Sequence, residues 1–165
     1  MPSPAPSDIP GQIPGQPRAA IIARRVLSAC FLAAGLGIGV WGANIPALTR
    51  RTGMTEGQVG FVLLCFAAGA LLAMSKAPRL IARIGAERAS ILATVLFGMS
   101  MACVGIATQM LVATLIAIMC GLSFGVREVA MNKHAADLEA RAGRPIMSSL
   151  HAMFSAGALC AAAIY

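Results

Sequence analysis

Five polar side chains stand inside or at the edge of long apolar runs: Asn44, Arg127, Glu128, Asn132 and His151. A polar group in hydrocarbon is costly unless it faces a cavity or a partner, so each is a candidate for function. A desolvated carboxylate such as Glu128 suits the binding of a cation or the carrying of a proton. Gly121, Gly125, Glu128 and Asn132 fall at i, i+4, i+7 and i+11, one helical stripe that could line a cavity. Arg127 and Glu128 are adjacent and point about 100° apart on a helix, so each is expected to find its own partner. The plainer reading is that the span ends here and both charges sit among headgroups. His151 could relay protons near neutral pH, or simply hydrogen-bond a neighbouring helix. Asn44 lies in Trp41-Gly42-Ala43-Asn44-Ile45-Pro46, where Pro46 removes a backbone donor and can loosen the helix around a substrate-contacting amide. Alternatively, Asn44 bonds between helices and Trp41 is an interfacial anchor.

Other chemistries lack their residues. There is no GxxxxGK[ST], HExxH or GxSxG, so neither an ATP-driven motor nor a protease or hydrolase is encoded by motif. Cys30, Cys65, Cys103, Cys120 and Cys160 all lie in apolar runs with no CxxC pair, which fits packing rather than zinc or disulfides. No enzyme activity, cofactor or metal is expected. The absence of a charge in the first apolar run disfavours a small multidrug transporter that relies on an acidic residue there.

The elements that position these groups follow from composition. The chain has 165 residues, 58% hydrophobic and only 12% charged, with a mean hydropathy of +0.80. A soluble domain carries about 25% charged residues, so a soluble enzyme, a nucleic-acid-binding domain and a disordered chain are all disfavoured. The net charge of +7 comes from short basic clusters between apolar runs, a membrane-orienting pattern that implies no nucleic acid. Residues 1–21, with six of the nine prolines before residue 20, are expected to be a disordered cytoplasmic tail. Residues 22–165 are expected to form a transmembrane domain with spans near 26–48, 57–75, 89–107, 110–130 and 148–165. The 38 charge-free residues from Ala89 to Val126 are nearly twice what one crossing needs at ~1.5 Å per residue, so Thr108-Gln109 should mark a hairpin. Lys76–Arg88 reads as a basic link. With the N-terminus inside, ten Lys and Arg fall on the inner side (Arg18 to Arg25, Lys76 to Arg88, Lys133 to Arg144) and only Arg50 and Arg51 on the outer, which predicts a cytoplasmic N-terminus. Glycines at 35, 37, 39 and 42, and the Gly121–Gly125 pair, predict close helix packing in a bundle.

Five segments in order resemble the N-terminal part of a major facilitator superfamily transporter, nearest its bacterial YbjJ-like branch: Trp41–Leu48 (WGANIPAL), Thr55–Gly60 (TEGQVG), Phe66–Ala73 (FAAGALLA), Glu128–Asn132 (EVAMN) and Gly143–Phe154 (GRPIMSSLHAMF). The resemblance covers about residues 22–165. It implies an all-α membrane protein of about five transmembrane helices, the incomplete N-terminal half of that family's bundle. It also implies inner-membrane transport of an unknown small solute, with proton coupling placed most readily on Glu128. The family's switch loop, GxLaDRxGRR, aligns with Pro78–Arg88: Leu80, Arg83, Gly85 and Arg88 fit, while Pro78 and Ala82 replace its glycine and aspartate. The lost aspartate puts that charge network in doubt. Ala117 stands where proton antiporters have an arginine, and Glu128 and Arg127 depart from the aspartate and apolar residue of near relatives. Family members have twelve helices in two halves that rock about a central site. The chain is therefore expected to be a fragment, largely inactive alone, whose partners are the lipid bilayer and a missing C-terminal half. The alternative is a stand-alone five-span protein that binds or regulates another membrane protein.

Overall fold

A computed structural model describes residues 18–164. The proline-rich stretch before Arg18 lies outside the described residues, as does Tyr165. Five helices follow one another: α1 (Arg18–Thr52), α2 (Glu56–Ile84), α3 (Ala86–Val104), α4 (Met110–Ala142) and α5 (Met147–Ile164). No strand occurs among the described residues. All five are long and apolar enough to cross a membrane, so the chain is a multi-pass helical membrane protein.

Several helices outrun the apolar stretches that seed them. α4 has 33 residues, about 50 Å at ~1.5 Å per residue, against a hydrocarbon core about 30 Å thick. α1 already begins at Arg18, within the segment assigned to the tail. The basic stretch Lys76–Arg88 is a helical joint rather than an open link. α2 runs through Pro78 to Ile84, and Gly85 alone separates it from α3. Gly85 has φ +85°, a conformation that glycine adopts without the steric cost a Cβ imposes. Its N–H donates to Ile81 O at 2.9 Å.

Local chemistry sets the ends. Thr55 and Gln58 form a capping box at the start of α2: each side chain bonds the other's backbone, with Thr55 N–H donating to Gln58 Oε1 at 2.9 Å. These reciprocal bonds satisfy donors that the first turn leaves open. The break near Thr108-Gln109 appears as the short link 105–109 between α3 and α4.

Three packed pairs build the bundle: α2 on α4, α1 on α5, and α3 on α4, while α4 and α5 barely touch. Glycine makes the first two possible. A Cβ on Gly121 or Gly125 would run into the α2 backbone at Phe66 and Ala70, and one on Gly35 or Gly157 would strike the facing helix of the α1–α5 pair. Without a hydrophobic drive between helices in lipid, such close backbone approach supplies the packing energy. Large apolar side chains point outward, Leu64, Leu71, Leu111 and Leu159 among them, as a lipid-facing surface requires.

Candidate functional site

The candidate residues do not form one cluster. Arg127, Glu128 and Asn132 lie on α4, with Arg127 turned toward α3, and His151 lies on α5, whereas Asn44 lies toward the far end of α1.

Arg127 is the best-placed polar group. Its side chain is 3% exposed, and its guanidinium carbon lies 4.5 Å from the centroid of the Phe97 ring and 5.3 Å from that of Phe124. These rings end an aromatic chain running from Trp41 stacked on Phe66 (5.4 Å) through Phe124 (5.8 Å) to Phe97 (6.2 Å). The four rings come from four helices. The guanidinium therefore sits on π faces inside the bundle, an arrangement that stabilises a desolvated cation.

Two sequence expectations are corrected here. Arg127 and Glu128 do not take separate partners: Nη2 of Arg127 is 3.9 Å from Oε1 of Glu128, an ion pair at the outer limit of contact. A hundred degrees of helix rotation is bridged because both side chains are long enough to bend toward each other. Nor do the two groups lie in an exposed helix end, since their side chains are only 3% and 15% exposed. The pair is not saturated by hydrogen bonds. Nε and Nη2 of Arg127 and Oε1 of Glu128 are buried and have no hydrogen-bond partner among the described residues.

The glycine stripe divides in two. Gly121 and Gly125 are filled by the α2 backbone and line no cavity. Lower down, α2 and α3 meet α4 through Ala77, Ile81, Ala89 and Ala130, with Val126 and Val129 against the same cluster. Glu128, on the same stripe, takes no part in that apolar cluster and is 15% exposed. His151 is exposed, and its ring meets the buried Phe31 edge-on at 5.5 Å. Asn132 donates from Nδ2 to Glu128 O at 2.9 Å, a bond along its own helix.

Asn44 likewise turns back on its helix, donating from Nδ2 to Val40 O at 2.9 Å. α1 continues through Pro46 without a break. Asn44 and Trp41 line a cavity of about 210 Å³ closed by Met101, Val104 and Gly105 of the α3 end. Arg83 and Arg88 are exposed beside the Gly85 joint.

Three features escaped the sequence reading. Arg51, counted only as a loop charge, donates to the carbonyls of Gly105 and Val104, the latter at 2.9 Å, so it caps the end of α3. Glu139 accepts from the backbone N–H groups of Ile146 (2.7 Å) and Met147 (2.9 Å), so it caps the start of α5. A cavity of about 490 Å³ between α1, α3 and α4 is lined by Leu27, Cys30, Glu87, Ser90, Met131 and His134, among others. The Thr/Ser-type cap rules give no signal for a carboxylate eight residues upstream. Nor does one sequence show which charges converge on a gap between three helices.

A multi-pass bundle with a buried charge pair is the class these observations define. Its relatives agree in kind. The chain is 33% identical over 139 residues to an uncharacterized transporter, y4wD, of Sinorhizobium fredii, covering 84% of this chain and 37% of that protein. It is 30% identical over 132 residues to an uncharacterized MFS-type transporter of Yersinia pestis, covering 80% of this chain and 34% of that protein. It is 31% identical over 129 residues to the membrane protein MosC of Rhizobium meliloti, covering 78% and 32% respectively. The chain thus spans about a third of the length of the curated relatives it matches. Two of the three carry transporter names, which supports a transporter family for the chain. No family model matches, and no solved structure matches.

Proposed function

We propose that the chain is the N-terminal part of a major facilitator superfamily transporter of the YbjJ-like branch, moving a small solute across the bacterial inner membrane. The observation that carries this reading is the Arg127–Glu128 pair, held between helices with unsatisfied hydrogen-bonding atoms. A buried ion pair is weak evidence for stability, because desolvation offsets much of the attraction. Ionisable groups inside a membrane bundle mark substrate or ion paths. Likeness to named transporters supports the same class.

Glu128 is the proton-coupling group in this reading, with His151 across the α4–α5 gap as its exchange partner. Asn44 and Asn132 are the amides able to turn toward solute. Arg83, Gly85 and Arg88 form the hinge between α2 and α3 that moves with the conformational change. The N-terminus is cytoplasmic, from the ten-to-two distribution of basic residues. The rest of the transporter lies beyond Tyr165, and the solute path closes against it.

The test is to read the coding sequence past the Tyr165 codon and express its whole product. Seven further apolar spans, and uptake of at least one solute from a broad panel, are expected. A stop codon directly after Tyr165, with no uptake by cells making the chain, would contradict the reading.

A further inference from the structure

Arginines from the start of α1 and from the α4–α5 link meet at one cavity. It holds about 460 Å³ between α1 and α5, and Arg24, Arg25 and Arg144 stand on its wall. Arg24 reaches across the two helices: its Nη2 donates to Ser149 Oγ at 3.5 Å. No acidic side chain lines the cavity among the described residues. Glu139, the carboxylate nearest Arg144 in sequence, accepts instead from the N–H groups of Ile146 and Met147. Like charges gathered in this way repel one another, which favours an anion among them.

The deeper wall is apolar. Arg25, Ala29 and Leu32 fall at i, i+4 and i+7, one face of α1, and Met153 of α5 lines the same cavity. Leu32 lies ~10 Å further along α1 than Arg25, at ~1.5 Å per residue. The charge-free run of α1 begins at Val26. The cations therefore stand level with lipid phosphates and the apolar wall level with acyl chains. Arg25 and Ala29 are exposed, so the cavity is open at the bundle surface.

We propose that this cavity is a site for one anionic phospholipid. Its phosphodiester lies among Arg24, Arg25 and Arg144, and an acyl chain runs along Ala29 and Leu32. Basic pockets between transmembrane helices suit such headgroups. The bias of basic residues toward one membrane face accounts for their number, but not for their convergence on an apolar-walled cavity. That wall favours a lipid over a soluble phosphate, which would leave it uncovered. A zwitterionic headgroup is a poorer match, because its own cation meets the arginines. The proposal does not depend on the transport reading.

The experiment is native mass spectrometry on the product of the complete reading frame, purified in detergent. The probes are dioleoylphosphatidylglycerol and dioleoylphosphatidylcholine, which share their acyl chains. Phosphatidylglycerol should bind roughly tenfold more tightly than phosphatidylcholine. Arg24→Gln with Arg144→Gln should remove most of that difference, with helical content unchanged by circular dichroism. Lys76→Gln with Arg79→Gln removes the same charge at exposed positions outside the cavity and should leave the difference intact. Glycerol 3-phosphate in large excess should not displace the lipid. Equal binding of the two lipids, or an equal loss in the Lys76 and Arg79 pair, would reduce the effect to general attraction and overturn the proposal. Displacement by glycerol 3-phosphate would overturn the choice of a lipid. If the Arg24 and Arg144 pair does not fold, Arg25→Gln, at an exposed position, decides: unchanged phosphatidylglycerol binding there overturns the site.

Discussion

The guanidinium of Arg127 lies 4.5 Å from the centroid of the Phe97 ring, so α4 places a cation on an aromatic face supplied by α3. That relationship links the bundle's packing to its buried charge. Phe97 itself rests on α1 where Gly37 leaves room, and a Cβ on Gly37 would press on the Phe97 ring edge. Three helices therefore fix the position of one guanidinium, and Glu128 inherits its partner from that position.

Removing one member of the pair should cost more than removing both. Arg127→Gln leaves Glu128 buried without its counter-charge, a loss of about 3–5 kcal/mol in comparable buried pairs. Arg127→Leu combined with Glu128→Leu should recover most of it. Thermal unfolding in detergent checks the order, and additive losses in the double variant would show that the two groups do not interact.

Phe97→Leu should weaken the site without emptying it. The cation–π contribution of about 0.5–2 kcal/mol is lost, while an apolar side chain still fills the space between α1, α3 and α4. The melting temperature should fall by less than in Arg127→Gln. An equal fall would mean that Phe97 matters through packing and not through Arg127.

Glycines at helix contacts should be intolerant, and those facing open space should not. Gly121→Ala or Gly157→Ala forces two backbones apart, with overpacking costs of about 1–3 kcal/mol. Gly42→Ala, with nothing within 4 Å, should be neutral or gain up to ~1 kcal/mol from the lower entropy cost of alanine in a helix. Comparing the three by thermal unfolding separates crowding from helix propensity.

Arg51 and Arg50 are neighbours with different expectations. Arg51→Ala uncaps α3 at Val104 and Gly105 and should cost about 1–3 kcal/mol, the range for hydrogen bonds to a charged group. Arg50, exposed and without such a bond among the described residues, should be near neutral as alanine. Equal effects would assign both to membrane orientation alone.

Much of the architecture was legible because bilayer thickness converts apolar run length directly into helix number. Five runs predict five helices, and the polar break at Thr108-Gln109 falls in the observed α3–α4 link. The GxxxG spacing of Gly121 and Gly125 predicts close approach, and the α2 backbone supplies it. What run length does not carry is rotation and crossing. Glu128 shares a face with Gly121 and Gly125 on a helical wheel, yet the α2 backbone covers the glycines while Glu128 bends to Arg127 and stays 15% exposed. The ion pair was missed because a wheel describes Cβ directions and not the reach of long side chains. Arg51 and Glu139 were missed as caps because their targets lie 53 and 54, and 7 and 8, residues away.

The most direct measurement of the central claim is solute-driven proton uptake in vesicles carrying the full product of this reading frame, with and without Glu128→Gln. The account predicts that protons move with the solute in the unaltered protein. It predicts that Glu128→Gln abolishes this proton movement and slows proton-driven uptake at least tenfold. Proton movement and uptake that survive Glu128→Gln unchanged would contradict it.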